Sequence, residues 1–426
     1  MGEELPETES RLLREVDRAD VVAICSDLIR VPSHRDYAGH ETPCAEHIRA
    51  LLEREGIQAY LQEVRDRRCN VIGILPGSGG GATLMFNGHL DTFPPGNMPS
   101  PFVPRIVDGN LTGRGSVDMK GGIAGQLAAM IALRRLGVPL TGDLVFSGVI
   151  AEEDSASLGA LHVIEHGPRA DMVVVSEPTD LATVIAHKGF DHYRIDIRGR
   201  ACHSSDPSKG LSAVYKGARI VNAIEHNFIR RSCSRTHPLL GPASFNVAAI
   251  LGYAKSEAST ALRREPGVRP PGAVVPDVCT IYIDRRRVPG ETLDEVLGGL
   301  QAFLDEMRRD DPELDATASS TPGCAELPSH PPLNTSPDHT LVRECLRLSA
   351  KHAGGPASPR GAPFWCDAAL FNNLGGIPAI VYGPGQVQVA HSDHEHVPVK
   401  QLIAAAHVYA LLATSLLSGN KTGSSG

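Results

Sequence analysis

The chain has 426 residues, of which 42% are hydrophobic and 21% charged, and a net charge of −8. That length exceeds what one hydrophobic core usually serves, so two domains are expected. An acidic chain with one Trp lacks the basic, aromatic-rich surface of a nucleic-acid binder, and its apolar runs read as too short for a membrane span.

The first stretch, MGEELPETES, is acidic and has no apolar core, so no secretory signal is expected. Nine scattered cysteines, with no CxxC, read as reduced thiols of a cytoplasmic protein. Residues 11–57 carry helical periodicity (Val21, Val22, Ile24, Leu28, then Ala45, Ile48, Leu51, Leu52), broken by the loop IRVPSHRDYAGHETP. The strands AYLQEV, NVIGILPG and TLMFNGH follow. The glycines of GSGGG lead into a strand and not a helix, so they read as a hairpin or loose connection and not a phosphate loop. GGIAGQLAAMIALRRLG is helical, DLVFSGVIAEE a strand, SLGALHVIEHG a helix and DMVVVSE a strand. This alternation predicts an α/β domain with a mostly parallel, helix-covered sheet.

The style changes at FDHYRIDIRG (residues 190–199), which alternates apolar with polar residues. A helix, strands near 244–253 and 274–285, a second helix and a strand near 313–320 complete a βαββαβ order, the signature of a ferredoxin-like α+β unit. After LPSHPPLNTSP, a helix and the strand IPAIVYGPG resume the first style, and the polar tail GNKTGSSG reads as disordered. The predicted organisation is an α/β domain in two parts, 1–187 and 323–426, interrupted by an inserted α+β domain at 188–322.

In such a sheet, ligands bind beyond the carboxyl ends of the strands. His89 and Asp91 follow TLMFNG, Glu152 and Glu153 follow LVFSGVIA, and Glu177 follows DMVVVS. His391 follows IPAIVYGPG after a short loop, and Asp118 precedes the helix that starts near Gly121. Singly, each is commonplace: a satisfied structural histidine, or a solvated carboxylate. Together they would gather several like charges in one cleft, which is costly without a cation. Oxygen and nitrogen donors without thiolate suit zinc, cobalt or manganese. Residues i and i+2 of a strand share a face. His89 can therefore bind a metal while Asp91 accepts a hydrogen bond from its other ring N–H.

The segments GHLDTFPPG, PFVPRIVDGNLTGRGSVDMKGGIAG, AEE, SEPT, GRACHSSDPSKG and YGPGQVQVAHSDHEHV, in this order, resemble the dinuclear zinc amidohydrolases. That group includes acetylornithine deacetylase, succinyl-diaminopimelate desuccinylase, aminoacylase and glutamate carboxypeptidase. The resemblance spans nearly the whole chain. It implies two Zn2+ per subunit, with Co2+ or Mn2+ as substitutes: His89 and Glu177 on one, Glu153 and His391 on the other, Asp118 bridging both. It implies that Asp91 orients His89, that Glu152 is the general base, and that the Asp118–Met119 peptide is cis. His203 matches a histidine sent from the inserted lid domain into the partner's active site, which implies a homodimer through that domain. Arg286, in IDRRR, resembles the arginine that grips a substrate carboxylate.

The implied reaction is hydrolysis of the amide of an N-acyl-amino acid by a water held between the metals, with Glu152 moving its proton to the leaving amine and His203 assisting the oxyanion. Cleavage of a dipeptide or of a C-terminal amino acid is the alternative, and a metal-binding regulatory protein without catalysis a further one. An N-carbamoyl-amino-acid amidohydrolase is disfavoured, because GHLDTFPPG lacks the extra glycines of that group. Glu177 leans toward deacylases and carboxypeptidases, since aminopeptidase relatives often carry Asp there. Two features depart from the pattern: Ala273 stands where the family often has a substrate-binding Asn, and KSEASTALRREPGVRPP before it resembles an insertion. His394 and His396 read as surface residues beside His391. Cys202 reads as a bystander of His203, because the motif order already supplies a water nucleophile, and so do Ser204 and Ser205, because no Asp-His partner pattern surrounds them.

Overall fold

The structure, a computed structural model, describes residues 7–257, 272–321, 327 and 329–418. The tail GNKTGSSG and most of the insertion-like loop before Ala273 lie outside them. In chain order the elements begin with helices α1 (Glu7–Arg18), α2 (Val21–Arg30) and α3 (Thr42–Arg54). Strands β1 (Gln58–Arg65), β2 (Arg68–Leu75), β3 (Leu84–His89), β4 (Arg105–Val107) and β5 (Asn110–Thr112) follow, then α4 (Gly121–Leu136), β6 (Leu144–Val149), α5 (Leu158–His166), β7 (Met172–Val175) and β8 (Val184–His187). The insertion holds β9 (Gly189–Arg198), α6 (Ala213–Ala223), α7 (Ile229–Ser232), β10 (Thr236–His237), β11 (Gly241–Pro242), β12 (Ser244–Tyr253), β13 (Val278–Arg287), α8 (Leu293–Asp310) and β14 (Asp315–Thr321). The chain closes with β15 (Leu333–Asn334), α9 (Thr340–His352), β16 (Arg360–Ala362), α10 (Ala368–Asn373), β17 (Ala379–Val381), β18 (His396–Pro398) and α11 (Val399–Leu417).

Two compact units result: Met1–His187 with Leu333–Gly426, and Lys188–Pro332. The first is built on one sheet in the order β1-β2-β6-β3-β7-β17-β8-β15, with β16 beside β8. Its four central strands, β6, β3, β7 and β17, run parallel, and β3, β6 and β7 are buried throughout. The expectation of a mostly parallel sheet is corrected at both edges, where β1–β2, β2–β6, β17–β8 and β8–β15 are antiparallel. One cause is local. Asp66 and Arg67, at φ 48° and 63°, form the two-residue turn that suits only an antiparallel hairpin. GSGGG is a loose connection and not a hairpin, because β6 lies between β2 and β3.

Helix α11 has the length and apolarity of a membrane span (mean hydropathy 1.3), contrary to the sequence expectation. Leu402, Ala405, Ala406, Tyr409 and Leu412 are buried on it, and it packs against α4 and α9, so its apolarity serves the core.

The inserted unit is the antiparallel sheet β12-β13-β9-β14, the order of a ferredoxin-like fold. Alternation along β9 points Tyr193, Ile195 and Ile197 inward, where they meet Ile220 of α6 and Leu300 and Phe303 of α8. Thr292 and Glu295 close a capping box on α8. The unit runs to Pro332 and not to 322. Phe190 donates its N–H to the His330 carbonyl at 3.0 Å, and the two rings stack 3.9 Å apart, so the returning segment pairs with β9.

Candidate metal centre

Parallel neighbours bring their carboxyl ends to one edge of the sheet. His89 is the last residue of β3, Glu152 and Glu153 follow β6, Glu177 follows β7, and His391 lies on the loop after β17. Asp118 sits in the turn Ser116–Lys120 ahead of α4, at non-helical φ −123° and ψ 94°, and its bond to Met119 is cis. The next residues of DMKGG have local reasons. Lys120 Nζ donates to the carbonyls of Leu28 and Val31 at the end of α2, at 3.0 and 2.8 Å. A Cβ on Gly121 would lie 2.5 Å from the Ser116 carbonyl oxygen, and one on Gly122 2.1 Å from that of Ser176. Only glycine lets α4 start this close to the end of β7.

The two oxygens of Asp118 face different histidines: Oδ1 is 3.0 Å from His89 Nε2, and Oδ2 is 3.1 Å from His391 Nε2. Glu177 lies 3.6 Å from His89 Nε2, and Glu153 lies 3.0 Å from His391 Nε2. Donor atoms of His89, Glu152 and Glu177 lie within 4.8 Å of one another, as do those of His89, Asp118 and Glu153. The five expected ligands and Glu152 are therefore together. Ala151, just before the glutamates, and His391 itself adopt left-handed φ of 63° and 60°, strain of the kind kept at functional sites. Phe93 of the FPPG turn stacks on the His391 ring at 4.4 Å.

Asp91 departs from expectation. The His89 Nδ1–H donates to the Asp91 backbone carbonyl at 2.8 Å, while the carboxylate lies 3.6 Å away. The carboxylate instead accepts the backbone N–H groups of Glu152 (3.3 Å) and Glu153 (2.8 Å). Asp91 thus orients the histidine with its main chain and the glutamate loop with its side chain.

The electrostatics fit a cation site. Burial raises Glu152 well above the usual carboxylate range, with Glu177, Asp367 and Glu153 adding to it against the pull of His89. Burial also pushes Glu177 up to about 7, and Asp118 adds to it. Burial opposes the charged forms of Asp118 and the two histidines. The hydrogen bonds between them outweigh it, holding Asp118 low and His391 up at about 10. A carboxylate shared by two imidazoles, with more carboxylates than protons can comfortably neutralise, is an all-oxygen-and-nitrogen donor set that zinc, cobalt or manganese accepts.

A ligating imidazole must be neutral, and His391 at about 10 is protonated at pH 7 in metal-stripped protein. Loading zinc there is expected to release about one proton per chain or more, with affinity rising as pH rises. An unbuffered zinc titration followed with a pH electrode checks this, and no acidification on binding contradicts it.

His203 and Arg286 belong to the inserted unit. His203 is exposed, and its Nδ1 meets the Ser205 hydroxyl at 2.8 Å. Ala273 lies beside that loop, its carbonyl accepting from the Ser204 N–H at 3.0 Å. Arg286 pairs with Asp284 at 3.0 and 3.1 Å and lies over the Phe190 ring. Sequence reasoning missed several residues around the centre. Glu41, buried and doubly bonded to Arg68, accepts the Ala151 N–H at 3.3 Å. Glu395 accepts from the amides of Val117 and Asp118. Asp367, buried before α10, is pushed up to about 6, chiefly by burial. Its signal was a lone charge inside the apolar run FWCDAALF.

Comparison with known proteins agrees with this geometry. An acetylornithine deacetylase of Myxococcus xanthus is 28% identical over 387 residues, 88% of this chain and 93% of that protein. A probable succinyl-diaminopimelate desuccinylase of Staphylococcus epidermidis is 24% identical over 404 residues, 92% of this chain and 96% of its own. A Bacillus subtilis structure described as a dinuclear metal-binding peptidase shares the fold, with a TM-score of 0.68 at 16% identity, covering 95% of this chain and 99% of that one. The profile of Peptidase family M20/M25/M40 matches residues 85–415, from the strand that ends in His89 to α11, and the chain is a member of that family of hydrolases.

Proposed function

We propose that the protein is a metal-dependent deacylase that hydrolyses the amide of an N-acyl-amino acid. The observation that carries this is Asp118, whose two oxygens face two histidines, each with a further carboxylate beside it. His89 and Glu177 would hold one divalent ion, Glu153 and His391 the other, and Asp118 both. When bound, the two ions, zinc with cobalt or manganese as substitutes, supply Lewis acidity and lower the pKa of water. Glu152, half-buried beside His89 and Glu177, is left to take the water's proton and pass it to the leaving amine. Asp91 fixes the backbone that carries the two adjacent glutamates by accepting from both of their amides. The relatives named as a deacetylase and a desuccinylase favour an acyl group on nitrogen.

A panel of N-acetyl-, N-formyl- and N-succinyl-amino acids, set against dipeptides, tests the substrate class in zinc- or cobalt-loaded enzyme. Turnover of the acyl-amino acids is expected to exceed that of the dipeptides. The reverse order moves the assignment to a dipeptidase or carboxypeptidase.

The same reading makes the protein a cytoplasmic homodimer, joined through the inserted unit. The eight described cysteines are all free, and Tyr215 on α6 and Ile250 on the edge strand β12 are exposed at 73% and 44%. His203 would then serve the partner's site, and Arg286 would grip the substrate carboxylate after exchanging it for Asp284. Mixing Glu152→Ala with His203→Ala under subunit exchange makes about half the dimers hybrid, each with one intact site, so roughly a quarter of all sites should recover. No recovery, with exchange verified by mass, means that His203 acts within its own chain or not at all.

A further inference from the structure

Asp118 is held by backbone that no helix supports. Its φ and ψ are non-helical, and the turn it occupies precedes the first residue of α4. What fixes that turn comes from the far end of the chain. Glu395, four residues after His391, is 1% exposed. Its Oε1 accepts the N–H of Val117 at 3.1 Å and of Asp118 at 3.2 Å. Its Oε2 accepts from Arg114 Nη1 at 2.5 Å, and its backbone carbonyl accepts the Gly113 N–H at 3.4 Å. Arg114, also 1% exposed, reaches the Pro95 carbonyl at 3.4 Å with its other terminal nitrogen. The same two buried side chains thus tie together the Pro95 turn, the Asp118 turn and the loop that carries His391.

A carboxylate buried this near Asp118 opposes the negative charge there. Its presence needs a benefit that outweighs the repulsion, and Arg114 supplies part of the compensation. We propose that Glu395, neutralised by Arg114, is a positioning residue that sets the backbone of Asp118 so that each of its oxygens meets its own metal centre. Replacing the pair by apolar residues would let the Asp118 peptide rotate, and a small rotation there moves both oxygens at once. The proposal rests on the reading of Asp118 as a bridging ligand.

The test uses Glu395→Gln and Arg114→Lys, stripped of metal and titrated with Co2+ by calorimetry and by visible absorption. Glu395→Gln keeps the shape and one acceptor oxygen but turns an amide toward Arg114. Arg114→Lys keeps the charge but loses the fork that spans Glu395 and Pro95. The expected result is a 10–100-fold weaker affinity for at least one cobalt ion and an altered cobalt spectrum. For a substrate from the acyl-amino acid panel, kcat should fall while KM stays nearly constant. If one variant is unfolded by circular dichroism, the other reads the same quantities. Parental cobalt affinity and spectrum in a folded variant, even one with a lowered melting temperature, overturn the proposal and leave the pair a purely structural role. A parent that binds fewer than two cobalt ions overturns the bridging reading itself, and the proposal with it.

Discussion

Replacing Glu152 by Ala is expected to lower turnover by about 10²–10⁴-fold, the usual contribution of a positioned acid–base group, while both metal ions stay bound. Replacing its neighbour Glu153 by Ala is expected to release a metal ion. The two residues are adjacent, yet their surroundings separate them. Glu153 lies 3.0 Å from His391, and Glu152 groups with His89 and Glu177. Both amides are bound by one carboxylate, that of Asp91, which holds the loop in place. Glu152 is close enough to His89 and Glu177 to serve as a ligand, so the geometry alone gives it two possible uses. Elemental analysis decides between them. A Glu152→Ala variant short of one metal, beside a Glu153→Ala variant that keeps two, reverses the roles.

Asp118→Asn should be the most damaging exchange for metal content. One amide oxygen cannot replace two anionic oxygens that face different histidines at 3.0 and 3.1 Å. The loss falls on both centres at once and is expected to exceed the roughly 10–100-fold drop in affinity typical of residues behind a ligand. Gel filtration followed by elemental analysis should find two ions per parental chain and fewer than one in the variant. Two ions retained in Asp118→Asn would remove the bridging assignment.

The cluster was legible as carboxylates and imidazoles gathered at the strand ends of one sheet, while its division into ligands is what the motif resemblance implies. A buried strand has no packing reason to end on His89, and the buried strand β7 has none to be followed so closely by Glu177. FDHYRIDIRG likewise declared its two-sided strand, and the inserted unit followed from it. The antiparallel edges were not legible in this way. A buried apolar strand looks the same in either direction, and the Asp66–Arg67 turn that reverses the chain has no Asn-Gly or Asp-Gly signature. Glu41, Arg114 and Glu395 stayed hidden for another reason. They are charged residues in polar loops, which usually read as solvated, and only the tertiary fold buries them against backbone amides. The stacking of Phe93 on His391 was hidden too, because nothing in GHLDTFPPG shows which way that ring turns. The end of the inserted unit was missed because a Pro-rich segment reads as a linker even where it pairs with β9.

The most direct test of a metal-dependent hydrolase is removal of the metal. The protein is stripped with a chelator, depletion is verified by elemental analysis, and hydrolysis of the best substrate from the acyl-amino acid panel is measured before and after adding zinc, cobalt or manganese. The account predicts no turnover in the stripped protein and recovery that saturates near two ions per chain. Full activity in verified metal-stripped protein would contradict it.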